Sequence, residues 1–227
     1  WDLYNTDRMH IQTTILGAWD ITDGFNGLIV LPTDPVSGNP VPAPVVMRYT
    51  PSDSLGDIYL ADVLLERDEG TIQWFVSYAY SESKANDVTT PFGGLFSDPF
   101  ETPKDQDGWS LYVGVRAPIG NNFVGLEYNH GSQYWFNFTQ AADDIVGSKL
   151  ATRGDAYEGY WIHEFKEGLG RARMKLRASA IYYDYAYSGS GWQVGAPKSL
   201  DGDTVPVLGF PTYSDALDIK LALLVKF

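Results

Sequence analysis

Between positions 171 and 178 four cations, Arg171, Arg173, Lys175 and Arg177, alternate with Ala172, Met174, Leu176 and Ala178. Alternate residues of an extended strand share a face, so these charges project together within about 20 Å. Such a row does one of two things. It attracts anions along a wetted wall, or it pairs with acids on neighbouring strands, for which Glu158, Glu164 and Asp218 are the candidates. Both readings stay open on the sequence. Lys220 and Arg116 belong with the row as cations of alternating segments of their own, and Asp62, Glu66 and Glu127 would form an acidic counter-wall if they share its face.

Other chemistry is sparse. The absence of cysteine excludes thiol catalysis, disulfides and thiolate metal sites. The histidines are His10, His130 and His163, and His130-Gly131-Ser132 is the nearest approach to a nucleophile beside a base. It matches no catalytic motif, and the chain carries no phosphate-cradling loop, dinucleotide fingerprint or zinc motif, so no enzyme, cofactor or metal is expected. Asp98, Glu101, Asp105, Asp107, Asp143, Asp144, Asp201 and Asp203 have no calcium-loop spacing and read as solvated loop acids. A net charge of −13 disfavours nucleic acid as a partner.

The elements that must carry the row are strands. Fifteen Tyr, 11 Phe and 7 Trp beside 23 Gly and 13 Pro favour many strands and turns over helices. Period-2 runs predict seven strands at about 8–19, 57–66, 71–81, 108–117, 123–129, 157–165 and 171–183, with an eighth at 217–227. Trp1-Asp2-Leu3-Tyr4, followed by the turn-like Asn5-Thr6-Asp7, reads as the end of a still earlier strand. Connections alternate in length: 67–70, 118–122 and 166–170 are short, whereas 20–56, 82–107, 130–156 and 184–214 are long. Pro32–Pro51 is expected to be extended and exposed, and the glycine-punctuated loop Pro91–Phe100 to pack over one end of the strands. Aromatics crowd the strand ends at Tyr78, Tyr80, Tyr134, Trp135, Phe136, Phe138, Tyr182, Tyr183, Tyr185 and Tyr187. They suit an interfacial girdle, with a carbohydrate-stacking track as the alternative.

The last strand is the most specific signal. Leu217, Ile219, Leu221, Leu223, Val225 and Phe227 occupy every odd position, while Asp218, Lys220 and Lys226 face the other way. About 9–11 residues is the strand length a tilted bilayer crossing needs, and no apolar run reaches the ~18 residues of a membrane helix. A spanning structure would then be a closed barrel, consistent with the slightly negative mean hydropathy, because such a wall shows lipid only every second residue. The segment resembles the carboxy-terminal strand of Gram-negative outer-membrane β-barrels, in which the final Phe227 with Leu221, Leu223 and Val225 would serve as the assembly signal. The alternation of short and long connections resembles those barrels along most of the chain.

That resemblance implies an all-β fold, a transmembrane antiparallel up-and-down β-barrel of about eight strands with short periplasmic turns and long extracellular loops. The resemblance implies one barrel domain over residues 1–227, whose loops and first residues suit the carboxy-terminal part of a larger barrel better than a complete small one. The resemblance also implies a place in the bacterial outer membrane, with lipid, lipopolysaccharide and the barrel-assembly machinery as expected partners and a homo-oligomer or a partner protein admitted besides. Lipid cannot accommodate the cationic row, since each cation at mid-bilayer costs ~2–4 kcal/mol. Arg171, Arg173, Lys175, Arg177, Lys220, Arg116, Glu158, Glu164 and Asp218 are therefore expected to line a pore. Three functional expectations follow: a porin-like channel for passive diffusion of small solutes, anions among them; a structural barrel that sheathes or docks an electron-transfer or export partner; and a soluble β-sandwich that binds carbohydrate.

Overall fold

The computed structural model describes residues 1–22, 27–33, 40–49, 53–88, 94–98, 101–138, 146–165, 173–188, 196–201 and 213–226, with backbone alone for 27–33 and 40–49. The described strands are β1 (Asp2–Asn5), β2 (Met9–Thr22), β3 (Gly27–Thr33), β4 (Pro40–Tyr49), β5 (Ser54–Asp68), β6 (Gln73–Ala85), β7 (Gln106–Ile119), β8 (Asn122–Gly131), β9 (Gly154–Glu164), β10 (Arg173–Tyr185) and β11 (Asp215–Lys226). Nine of them form one antiparallel up-and-down sheet in the order β1-β2-β5-β6-β7-β8-β9-β10-β11, and β3 pairs with β4 alone. Lys149–Ala151 is a single 3-10 turn.

The eight predicted strands all lie in this sheet, and the Trp1–Tyr4 segment expected to end an earlier strand supplies its ninth, β1. Asp2–Asn5 turns back on β2, with Asp2 opposite Gln12 and Asn5 opposite His10. The sheet is not closed: β1 and β11 are its two edges. Within the run Pro32–Pro51, Pro40–Tyr49 is extended, as a strand paired with β3. Prolines at 40, 42 and 44 remove amide donors from a single edge of β4, which a strand paired on one side tolerates.

Every short connection lies at one end of the sheet and every long one at the other, as alternating strand direction requires. At the short end β5 and β6 are joined through residues 69–72, where the Asp68 carboxylate accepts the Gly70 amide at 2.7 Å. Gly120 and Asn121 alone join β7 to β8, and a φ of 63° at Gly120 suits a residue without a Cβ.

Cα register assigns the two faces. Met9, Ile11, Ile15 and Trp19 of β2 share a face with Tyr59, Val63 and Leu65 of β5 and with Trp74, Val76, Tyr78 and Tyr80 of β6. The same face continues through Leu111, Val113 and Val115 of β7, Val124 and Leu126 of β8, and Tyr157 and Trp161 of β9. It ends with Leu176 and Tyr182 of β10 and Leu217, Ile219, Leu221, Leu223 and Val225 of β11. This apolar face is the exposed one, Leu126 for example at 66 %. The opposite face carries the polar side chains and is the buried one: Ser81, Ser83, Ser110, Asn129, Glu158, Ser179 and Asp218 are all buried.

A core under the long connections covers part of the polar face. Leu55 and Ile58 of β5 pack with Leu95, Phe96 and Phe136, and Ile21, Leu60, Val88 and Tyr134 surround them. Leu95 and Phe96 thus place the described part of the Pro91–Phe100 loop against the long-loop end of the sheet. Trp135, Phe136 and Tyr183 are buried, which corrects the girdle reading for them. They point to the polar side, where apolar area is removed from water by the connections. Tyr78, Tyr80 and Tyr182 lie exposed on the apolar face.

Candidate functional site

β10 sets the cations on the polar face because its side chains alternate along an unbroken ladder to both neighbours. Arg173, Lys175 and Arg177 all project there, as do Lys220 and Asp218 of β11, Glu158 and Glu164 of β9 and Arg116 of β7. Arg171 and Phe227 lie outside the described residues. Val225, Leu223 and Leu221 stand on the apolar face. Asp62 and Glu66 of β5 and Glu127 of β8 join the polar face, so acids gather on β5 while cations gather on β10 and β11.

Two of the three described ladder cations are answered by acids of the adjacent strand. Lys175 Nζ lies 2.5 Å from Glu164 and Arg177 Nη2 lies 2.6 Å from Glu158. The first pair is exposed and contributes at most ~1 kcal/mol, whereas Glu158 is only 3 % exposed and depends on its partners. Arg177 also lies over the Tyr160 ring, 4.8 Å from its centre. Asp218 faces Lys220 of its own strand at 3.1 Å, not the β10 row. Arg116 donates through Nε to Gln73 directly across β6 at 2.9 Å and lies over Phe123. At the other margin His10 stands between Asp2 at 2.9 Å and Glu66 at 3.3 Å.

Glycines let aromatic rings lie flat on this face. A Cβ at Gly114 would meet Phe75 at 2.3 Å, and one at Gly125 would meet Tyr160 at 2.2 Å. Phase and spacing therefore matter on both strands: each glycine is the cross-strand neighbour of the ring it receives, Phe75 opposite Gly114 and Tyr160 opposite Gly125. Towards the short turns the polar face forms a pocket of about 400 Å³ lined by Arg8, His10, Glu66, Phe75, Arg116 and Tyr160 among others. Towards the long connections Trp135, Asn137, Phe138 and Leu150 close over Thr14, Leu60, Ser110 and Tyr112.

Arg153 ties those connections together from a buried position. Its guanidinium donates to the Trp135 carbonyl at 2.8 Å and the Ser188 carbonyl at 3.3 Å and lies over the Phe96 ring. Burial pushes its pKa down to about 10, so it keeps its charge at neutral pH. Asp98 and Lys198 form a second tie, with the Ala196 amide donating to Asp98 at 3.1 Å. Burial acts to raise the Asp98 pKa, but Lys198 and that amide outweigh it and hold the carboxyl below its usual range. Asp105 is likewise answered by Lys84 at 3.1 Å. Asp143, Asp144 and Asp203 lie outside the described residues.

His130 does not form a pair with Ser132. Its ring contacts Asp155 at 2.9 Å, while the Ser132 hydroxyl accepts the Trp109 amide. Among the described residues no group of three or more His, Cys, Asp or Glu side chains is placed to hold a metal ion, and no helix is long and apolar enough to cross a membrane.

Lys149 is the polar-face residue that strand reasoning missed. It sits in the connection 132–153, outside any alternating run, yet its Nζ contacts both Glu127 and Glu158. A signal was present: two glutamates due to face each other need a cation, and this connection holds only Lys149 and Arg153.

Fold and site together define an all-β protein built on one antiparallel up-and-down sheet with a charged, buried face and an apolar, exposed one. The chain belongs to the family described as protein of unknown function (DUF3373), whose model matches residues 1–227. No curated protein and no solved structure matches it.

Proposed function

We propose that this sheet is wall of a barrel in the bacterial outer membrane, and that its polar face lines a porin-like channel for passive diffusion of small solutes. One observation carries the reading: the large apolar side chains are outside and the charges are inside. Nine strands at ~4.8 Å spacing and a ~25 Å apolar band give a greasy surface on the order of 1,000 Å², above the few hundred Å² that soluble monomers expose. Lipid is the solvent that such a surface fits.

A bilayer also requires that the unpaired amides and carbonyls of β1 and β11 be satisfied, either by each other or by further strands. The soluble carbohydrate-binding sandwich is disfavoured, because a sandwich buries the apolar faces of two sheets against each other. The pairing of Lys175 and Arg177 with glutamates favours a charge-balanced wall over a bare anion-attracting row.

A second reading is a structural barrel that docks a partner. It gains support from the connections that already cover the long-loop half of the polar face. Fractionation and planar-bilayer recording separate the two. A channel resists extraction by salt and alkaline carbonate and conducts when reconstituted. A structural barrel resists extraction and stays silent, and recovery as a soluble monomer without detergent contradicts both.

A further inference from the structure

Glu127 and Glu158 are direct Cα partners on β8 and β9, both on the polar face. Their side chains are 12 % and 3 % exposed. Like charges directly opposite destabilise a strand pair, and burial withholds the water that would soften the repulsion. The compensation comes from outside the wall. Lys149 bridges both carboxylates, Arg177 takes the second oxygen of Glu158, and the Tyr112 hydroxyl donates to Glu127.

The backbone around Lys149 is docked with it. Asn129 donates to the Lys149 carbonyl at 2.9 Å, and Tyr183 donates to the Gly147 carbonyl at 3.0 Å. Within the same connection, Trp135 and Asn137 both donate to the Leu150 carbonyl, at 2.7 and 2.8 Å, and hold the turn against its own flank. The bridge is deep, since Glu127 lies midway along β8.

We infer that residues 147–153 form a plug in the proposed channel and that Lys149 is its latch and its selectivity-determining residue. The inference rests on the channel reading for its consequence, but the docking itself does not. With Lys149 in place the two acids of this cluster meet two cations, and the cluster is neutral. With Lys149 withdrawn, Glu127, Glu158 and Arg177 leave a net charge of −1, so the opened path admits small cations, metal ions or ammonium groups, in preference to anions. Undocking must expose a buried pair of carboxylates, which holds the plug in by default.

The absence of native cysteine makes the test clean. Leu150→Cys in the intact purified protein is labelled with a water-soluble maleimide, against Asp201→Cys as an exposed reference. The docked plug gives slow labelling. Adding Lys149→Met accelerates it about tenfold or more, Lys149→Arg keeps it slow, and Glu127→Gln with Glu158→Gln added to Lys149→Met slows it again. Labelling indifferent to Lys149→Met overturns the latch. In planar bilayers Lys149→Met raises conductance and shifts the reversal potential towards cations. Faster labelling with silent bilayers for every variant overturns the selectivity role and the channel reading together, while leaving the latch standing.

Discussion

Asp218 and Ile219 are neighbours on β11, and the carboxylate is 5 % exposed where the isoleucine is 74 % exposed. A soluble strand reverses that order, because burying a carboxylate costs far more than exposing an alkyl group. The relation repeats on β8, where exposed Leu126 precedes half-buried Glu127. If the exposed face meets lipid, Ile219→Lys costs ~2–4 kcal/mol of barrel stability at mid-bilayer depth. Heat-modifiability in detergent-gel assays checks this: the folded band of the variant is lost at lower temperature. An unchanged transition would place Ile219 in water.

Arg177 and Lys175 differ in what their acids can do without them. Arg177→Met strips a buried glutamate of one partner and is expected to cost about 1–3 kcal/mol, discounted because Arg177 itself is partly exposed. Lys175→Met leaves Glu164 in contact with solvent and costs under ~1 kcal/mol. The same melting assay, run on both variants, should rank them in that order.

Gly125 receives the Tyr160 ring, so Gly125→Val forces the ring off the wall. A cost of roughly 1–3 kcal/mol follows from overpacking. Adding Tyr160→Ala to that variant frees the space and should recover part of the loss, read by denaturant unfolding in detergent micelles.

The Asp98 carboxyl is held below its ordinary pKa of ~3.9 by Lys198 and the Ala196 amide. Because the folded pKa is the lower one, the tie is fully present above the ordinary value and is lost as pH falls through the depressed one. Protease sensitivity of residues 196–201 should therefore rise below about pH 4, and Asp98→Asn should show the raised sensitivity at neutral pH with no further acid step.

Strand phase was legible wherever a face is consistently apolar, as on β6 from Trp74 to Tyr80 and on β11. Alternation every two residues is a local property and needs no tertiary information. Residues 2–5 are too short to show a period and were read as a strand end only from the turn-like Asn5-Thr6-Asp7 beside them, and the hairpin β3–β4 hides behind prolines that ordinarily mark loops. Trp135 and Phe136 were misread because a girdle and a core draw on the same aromatic residues, and only tertiary placement separates them. Lys149 escaped strand periodicity for a related reason, although the facing Glu127 and Glu158 called for a cation. It serves the wall from a connection, and sequence periodicity locates walls only.

The central claim, that one face of the sheet meets lipid and the other an aqueous interior, is tested most directly by a single-cysteine spin-label scan of residues 217–225 in the reconstituted protein. Relaxation by oxygen reports lipid, and relaxation by a polar nickel chelate reports water. The account predicts oxygen accessibility at 217, 219, 221, 223 and 225, with low oxygen and higher nickel accessibility at 218, 220, 222 and 224. Nickel accessibility at the odd positions would contradict it.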